Sequence, residues 1–191
     1  MNAIQNFDTA VFRFVNTGLT NPVFDIIMPI MSAKQYFMSV IAALAIIALV
    51  ADWKKALRVI IFFGVTVAVA DVAENALKHA VARIRPCHAL EGVRLLAGCG
   101  KSFSFPSGHA TNIFAAMVFL STRYKQFWPA FMLIALGVAF SRVYLGVHYP
   151  LDVTGGAALG TGVAFVISWA DCKYTGALII SRFTNKPEIR E

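Results

Sequence analysis

Three stretches of the chain, residues 35–51, 126–141 and 153–170, contain no charged side chain, and each approaches the roughly 20 residues that a helix needs to cross a bilayer. That feature excludes most soluble architectures. The composition agrees: 58% of the residues are hydrophobic and 14% are charged, against roughly 25% charged in ordinary soluble domains. Sixteen Phe among these residues supply far more apolar surface than a disordered chain carries. The net charge of +7 therefore reads as membrane topology, and no nucleic-acid partner is expected.

Two further spans are less pure. Residues 59–70 lead into Asp71 and Glu74, and residues 110–122 follow directly on a Gly-His pair. Between Asn16 and Ala33 the apolar run is interrupted by Pro22, Asp25 and Pro29, which predicts a short or broken first span. Residues 2–15 mix Phe and Val with Asp8 and Arg13, as an interfacial helix would. No basic segment, apolar run and small-residue cleavage site occur in the order of a cleavable signal. The expectation is an all-α, polytopic membrane helix bundle of about six transmembrane helices, with residues 1–191 forming one domain without internal repeats.

Basic residues set the orientation. Lys54, Lys55 and Arg58, then Arg123 and Lys125, then Lys173, Arg182, Lys186 and Arg190 fall on one side, which the positive-inside rule makes cytoplasmic. Residues 78–107 and 146–152 then share the opposite face although they belong to different loops. Cys87 and Cys99 lie in that outer loop, where they either close a disulfide or remain inert thiols, and Cys172 lies on the reducing side. Three cysteines exclude a disulfide-dense scaffold.

The residues able to do chemistry gather on the outer face in three groups. In the first, a helix continuing from Lys55 to Ile84 would be about 45 Å long and would raise its last turns above the hydrocarbon, with Lys78 and Arg85 on one face, Glu74 paired to Lys78, and Pro86 beyond. Snorkelling cations at a helix end are the ordinary explanation of such a segment. In the second, Pro106-Ser107-Gly108-His109 opens a helix, whose free N–H groups attract anions while the Ser107 hydroxyl adds a donor. In the third, Ser141 and Arg142 precede His148 and Asp152, spaced so that a helical path would let the carboxylate fix one imidazole tautomer. Each group alone has an ordinary structural explanation. Together they assemble three cations, an anion-binding helix start, two histidines and a carboxylate, which is the inventory of phosphate chemistry. A different class draws on the same residues: a bundle whose histidines ligate haem, or whose Asp71 and Glu74 line an ion pathway.

The three blocks read K-x6-R-P from Lys78 to Pro86, P-S-G-H from Pro106 to His109, and S-R-x5-H-x3-D from Ser141 to Asp152. In that order they resemble the full signature of the type 2 phosphatidic acid phosphatase family of membrane enzymes, related to the vanadium haloperoxidases. The resemblance implies a phosphatidic acid phosphatase/haloperoxidase-like core and a lipid phosphatase. Its substrate would be a phosphomonoester or diphosphate such as undecaprenyl diphosphate, phosphatidylglycerophosphate, phosphatidic acid or a lipid A phosphate. It further implies that His148 is the nucleophile of a phosphohistidine, that Asp152 orients it, and that His109 protonates the leaving oxygen and later activates water. Lys78, Arg85, Ser107, Gly108 and Arg142 would bind phosphate, with no metal and no cofactor. The implied setting is the bacterial inner (cytoplasmic) membrane, with the site facing the periplasm or exterior. His79 and His88 match no fixed position; His88, Arg94 and Lys101 of the outer loop are candidates for contacts to a head group carrying extra negative charge.

Overall fold

The computed structural model describes residues 3–184, without the side chains of residues 34, 37, 38 and 174–184. Within them the chain is mostly helical and forms no strand. An N-terminal amphipathic helix α1 (Ala3–Arg13) passes through a wide turn at Phe14–Gly18 into the short α2 (Pro22–Ser32). Then follow α3 (Lys34–Ala51), the long α4 (Trp53–Val81), one turn α5 (Pro86–Ala89), α6 (Gly108–Arg123), α7 (Trp128–Tyr144) and α8 (Pro150–Thr184). Trp53–Ala89, Lys125–Tyr144 and Pro150–Lys173 are long and apolar enough to cross a membrane, and Pro22–Ser32 and Ser39–Ala51 are shorter apolar helices. The break expected before Ala33 falls at Leu19–Asn21, where the Asn21 side chain accepts the Phe24 N–H and starts α2.

The bundle presents its apolar side chains outward. Val50, Leu133, Leu136, Val166 and Trp169 are exposed, while Glu74, Lys78, Arg85, Arg142, His148 and Asp152 are buried. That polarity suits a hydrocarbon solvent. At the end of the bundle holding Arg58 and Arg123, both guanidinium groups meet the Asp171 carboxylate, as expected for a basic cluster on one side; Arg182, Lys186 and Arg190 lie outside the described side chains.

The most extensive packing joins α6 to α8, and two glycines make it possible. A Cβ on Gly160 would lie 2.1 Å from the Thr111 carbonyl oxygen, and one on Gly156 would lie 2.6 Å from that of Ser107. Gly156-x-x-x-Gly160 thus lets the two backbones touch, a small-residue contact typical of membrane helices. Its effect is to hold the start of α6 against the start of α8.

One expectation fails. The helix carrying Lys78 stops at Val81 instead of running on to Ile84, because Ala82 turns into the left-handed region at φ 50° and donates to the Lys78 carbonyl. Arg85, preceding Pro86, is extended at φ −69°, ψ 150°, as the proline ring requires. Lys78 and Arg85 therefore reach the site from different elements and do not share a helix face.

Candidate active site

The α7–α8 connection supplies the centre. Leu145, Val147 and Tyr149 are buried, and Gly146 turns the chain at φ 81°, at a point where a Cβ would sit 2.7 Å from the Arg94 carbonyl oxygen. Glycine is needed there on both counts. Asn16, fully buried, staples this turn to the outer loop: its amide donates to the Arg94 and Tyr144 carbonyls at 2.8 Å each and accepts the Arg94 N–H at 2.9 Å.

His148 is 2% exposed, with Nε2 at 3.2 Å from Arg85 Nη1. A guanidinium can only donate, so Nε2 is the acceptor and the ring proton belongs on Nδ1. On that side the expected close contact with Asp152 is loosened: Nδ1 stands 3.6 Å from Asp152 Oδ2 and 3.5 Å from the Ser104 hydroxyl. The reason is competition for the carboxylate. Oδ2 also accepts from the Ser104 hydroxyl and from the Tyr149 N–H at 2.9 Å, while Oδ1 accepts from Arg83 at 2.7 Å. Burial above all, and then the positive charges of Arg85 and Arg142, push the imidazole down to about 4 against the pull of Asp152. His148 is therefore neutral near pH 7, with an unprotonated Nε2 beside two guanidinium groups.

A cavity of about 350 Å³ opens beside that nitrogen, and Lys78, Arg85, Arg142, Gly108, His109 and His148 line it. The structure thus gathers residues from all three sequence blocks. Arg85 is aimed by the outer loop: its Nε donates to the Ser102 carbonyl at 2.7 Å and Nη2 to the Ser102 hydroxyl at 2.9 Å. Arg142 Nη1 donates to the Ser32 hydroxyl, while its Nε is buried without a partner. The Ser107 hydroxyl is likewise buried and unpartnered, and its N–H is already given to the Asp152 carbonyl at 2.9 Å. Buried donors left unmatched are costly, and at Arg142, on the cavity wall, an anion would complete the hydrogen bonding; Ser107 itself is not among the residues lining the cavity, although Gly108 beside it is. Ser107 caps α6, whose first-turn N–H groups lack intrahelical acceptors.

Lys78 is paired with Glu74 as the spacing anticipated, and the Glu74 carboxylate lies so close to Gly108 that a Cβ there would meet its Oε1 at 2.8 Å. Asp71 accepts from the Asn112 amide at 3.1 Å. The acids of the alternative ion pathway are thus engaged with the residues around the cavity.

The outer loop takes one of the two alternatives open to its cysteines and departs from expectation at its polar side chains. Cys87 and Cys99 form a disulfide, and His88 Nε2 lies 3.2 Å from the Cys99 sulfur and 3.3 Å from the carbonyl of Gly100, a lining residue, without lining the cavity itself. Arg94 is spent on Asp25 and on the Tyr144 hydroxyl, so it is not offered to a head group, and Lys101 is exposed outside the lining. His79 meets the edge of Phe103. Sequence reasoning missed Arg83, Ser104 and Ser102; the R-I-R-P run was the one visible sign of Arg83.

A family model for the PAP2 superfamily matches residues 59–174, which hold every residue of the cavity lining. The chain belongs to the PAP2 superfamily. A lipid A 4'-phosphatase of Bacteroides thetaiotaomicron is 30% identical over 82% of this chain and 73% of its own length. An undecaprenyl-diphosphatase of Sulfolobus acidocaldarius is 33% identical over 62% of the chain and 58% of its own length. Among solved PAP2 structures, the phosphatidylglycerolphosphate phosphatase of Bacillus subtilis superposes with a TM-score of 0.73 at 26% identity, covering 91% of this chain and 88% of its own. LpxE of Aquifex aeolicus gives 0.68 at 25% identity over 84% of this chain and 94% of its own.

Proposed function

We propose that this PAP2 protein hydrolyses a phosphomonoester or diphosphate of a lipid through a phosphohistidine on His148. The observation that carries the reading is the junction of two cavities. The cationic one shares His109 and Asn112 with an apolar cavity of about 270 Å³ lined by Met31, Ile41, Phe63, Val67, Ile113 and Val138. A phosphate on the cationic side would leave its alkyl tail among these side chains, between helices that face lipid.

In the first step the Nε2 lone pair of His148 attacks phosphorus and the ester oxygen departs, taking a proton from His109. Arg85, Arg142 and Lys78 neutralise the non-bridging oxygens, and the Ser107 hydroxyl and the start of α6 take the charge that builds in the transition state. Water, giving its proton to His109, then attacks phosphorus and breaks the P–N bond, releasing inorganic phosphate and restoring His148. The positive charge in this scheme comes from side chains of the chain, so no metal is required. The saturated basic end at Arg58, Arg123 and Asp171 supports a cytoplasmic location for that end, and hence a site at the periplasmic or outer face of a bacterial inner membrane.

Relatives named for lipid A phosphates, undecaprenyl diphosphate and phosphatidylglycerophosphate define the panel to assay. Purified protein is expected to release phosphate from at least one of these or from phosphatidic acid, at the same rate with excess chelator present. No release from any member of the panel, or release abolished by the chelator, would overturn the proposal.

A further inference from the structure

Arg83 and Asp8 have no place in the scheme above, yet both are tied to its centre. The Arg83 guanidinium divides itself between two buried carboxylates, reaching Asp152 Oδ1 at 2.7 Å and Asp8 Oδ2 at 2.6 Å. Asp8 is 1% exposed although it belongs to an amphipathic helix whose Ile4 and Phe7 face outward. Its second oxygen accepts the Leu151 N–H at 2.9 Å, in the first turn of the helix that carries Asp152. Tyr149 completes the layer: Arg83 lies over its ring at 4.0 Å, and Phe12 of α1 packs on it with ring centroids 5.5 Å apart. Helix α1 lies outside the segment that the family model matches, residues 59–174.

We propose that Asp8 and Arg83 are positioning residues, forming a charge clamp through which α1 sets how strongly Asp152 engages His148. The argument is one of shared charge. Arg83 draws on the same carboxylate that polarises His148, adding its pull on Oδ1 to the competition of Ser104 and the Tyr149 N–H for Oδ2, which stands 3.6 Å from His148 Nδ1. Asp8 draws Arg83 the other way, so the charge on α1 determines how much of Asp152 remains for the imidazole. Two opposite charges in series then have opposite effects on His148.

The other charged groups around this pair are fixed in number. Arg85 and Arg142 face His148 from the α4–α5 connection and α7, while His109 of α6 and the Glu74–Lys78 pair of α4 line the cavity. On the Asp152 side stand Arg83, Asp8 and, beyond the Tyr149 phenol, Arg13. Asp8 and Arg83 link α1 to the Asp152 carboxylate by direct hydrogen bonds.

The inference rests on the proposed role of His148, and its test is separable from that role. The protonation of His148 is followed by NMR of histidine-labelled protein, beside phosphate release, in the wild type, Asp8→Asn, Arg83→Gln and the double variant. Asp8→Asn keeps an acceptor for Leu151 but leaves Arg83 wholly to Asp152, so His148 should titrate lower than in the wild type. Arg83→Gln frees Asp152, so His148 should titrate higher. In the double variant the Asp8→Asn effect should shrink, because its route through Arg83 is gone. Arg83→Gln is expected to lower kcat by about 10–100-fold, the scale of an outer-shell partner, with KM within a few-fold, since Arg83 does not line the phosphate cavity.

Equal or same-direction shifts in the two single variants, or an unmoved titration, would overturn the clamp. If Arg83→Gln does not fold, Asp8→Asn decides alone: a lowered titration supports the clamp and an unchanged one refutes it. Undiminished phosphate release by His148→Ala would instead sink the phosphohistidine reading, while the titrations still decide the clamp.

Discussion

The two polar ends of this bundle use the same side chains to opposite ends. Where Arg58 and Arg123 meet Asp171, two guanidinium groups close on one buried carboxylate, and the cluster joins α4, α6 and α8. At the other end Lys78, Arg85 and Arg142 line a cavity on whose wall Arg142 Nε remains without a partner, and the Ser107 hydroxyl next to Gly108 is also buried and unpartnered. One cluster is balanced within the chain and ties helices together. The other carries a surplus of donors around open space, which an anion would satisfy. Composition alone does not separate a structural cation from a ligand-binding one; at Arg142 the missing partner does, whereas Lys78 is paired with Glu74 and lines the cavity all the same.

Exchanging the roles of the two ends is the most direct way to break this contrast. His148→Ala should lower phosphate release at least about 10³-fold, as loss of a nucleophile does, without altering the fold. Asp171→Asn should do the reverse, lowering stability by about 1–3 kcal/mol by removing the buried charge on which the half-exposed Arg58 and the more buried Arg123 converge, while sparing kcat. Denaturation and phosphate-release assays on the two variants read both effects, and an inactive but stable Asp171→Asn would erase the distinction.

Within the outer end, Arg142→Ala removes an unpartnered donor of the cavity wall, which the proposed mechanism directs at the developing charge, and should cost about 10²–10³-fold in kcat/KM. A loss confined to KM would mean that Arg142 binds the ground state alone. Gly160→Leu tests the scaffold beneath both: its Cβ would meet the Thr111 carbonyl oxygen at 2.1 Å, so α6 and α8 must separate at a cost of about 1–3 kcal/mol. Thermal unfolding should register that cost, and an unchanged melting temperature would show that the helices adjust freely.

The smallest effect concerns pH. With His148 pushed from 6.5 to about 4, the imidazole stays neutral through the mildly acidic range, and its contribution to the acid limb of kcat/KM should fall near pH 4. The stability linkage has the matching sign. The unfolded imidazole takes up its proton as pH falls through 6.5 and the folded one resists until about 4, so this contribution to stability is present above 6.5 and is lost on the way down to about 4. A nucleophile-linked limb near 6.5, identified by its absence in substrate titration, would contradict the burial of His148.

The site was readable in sequence where its chemistry sits at helix ends. Pro106 to His109 announces a helix start, and the i,i+4 spacing of Glu74 and Lys78 anticipated their pairing. The uncharged runs likewise gave the membrane bundle, because hydrocarbon tolerates few other patterns. What escaped was whatever depends on contacts between distant segments. Arg83 looked like an interior position of K-x6-R-P, and nothing local connects it to Asp8 or Asp152. Arg94 looked available in the loop but is claimed by Asp25, from the interrupted first span. The end of α4 was misplaced because Pro86 marks where a helix cannot pass, whereas the turn at Ala82 comes earlier.

The central claim, that His148 accepts the phosphoryl group, is tested by trapping it. Wild-type protein would be mixed with lipid labelled in its phosphate, quenched with base within a single turnover and mapped. Label on His148, stable to base and released by acid as a P–N bond is, is the expected result. Label on another residue, or none while phosphate is still being released, would contradict the account.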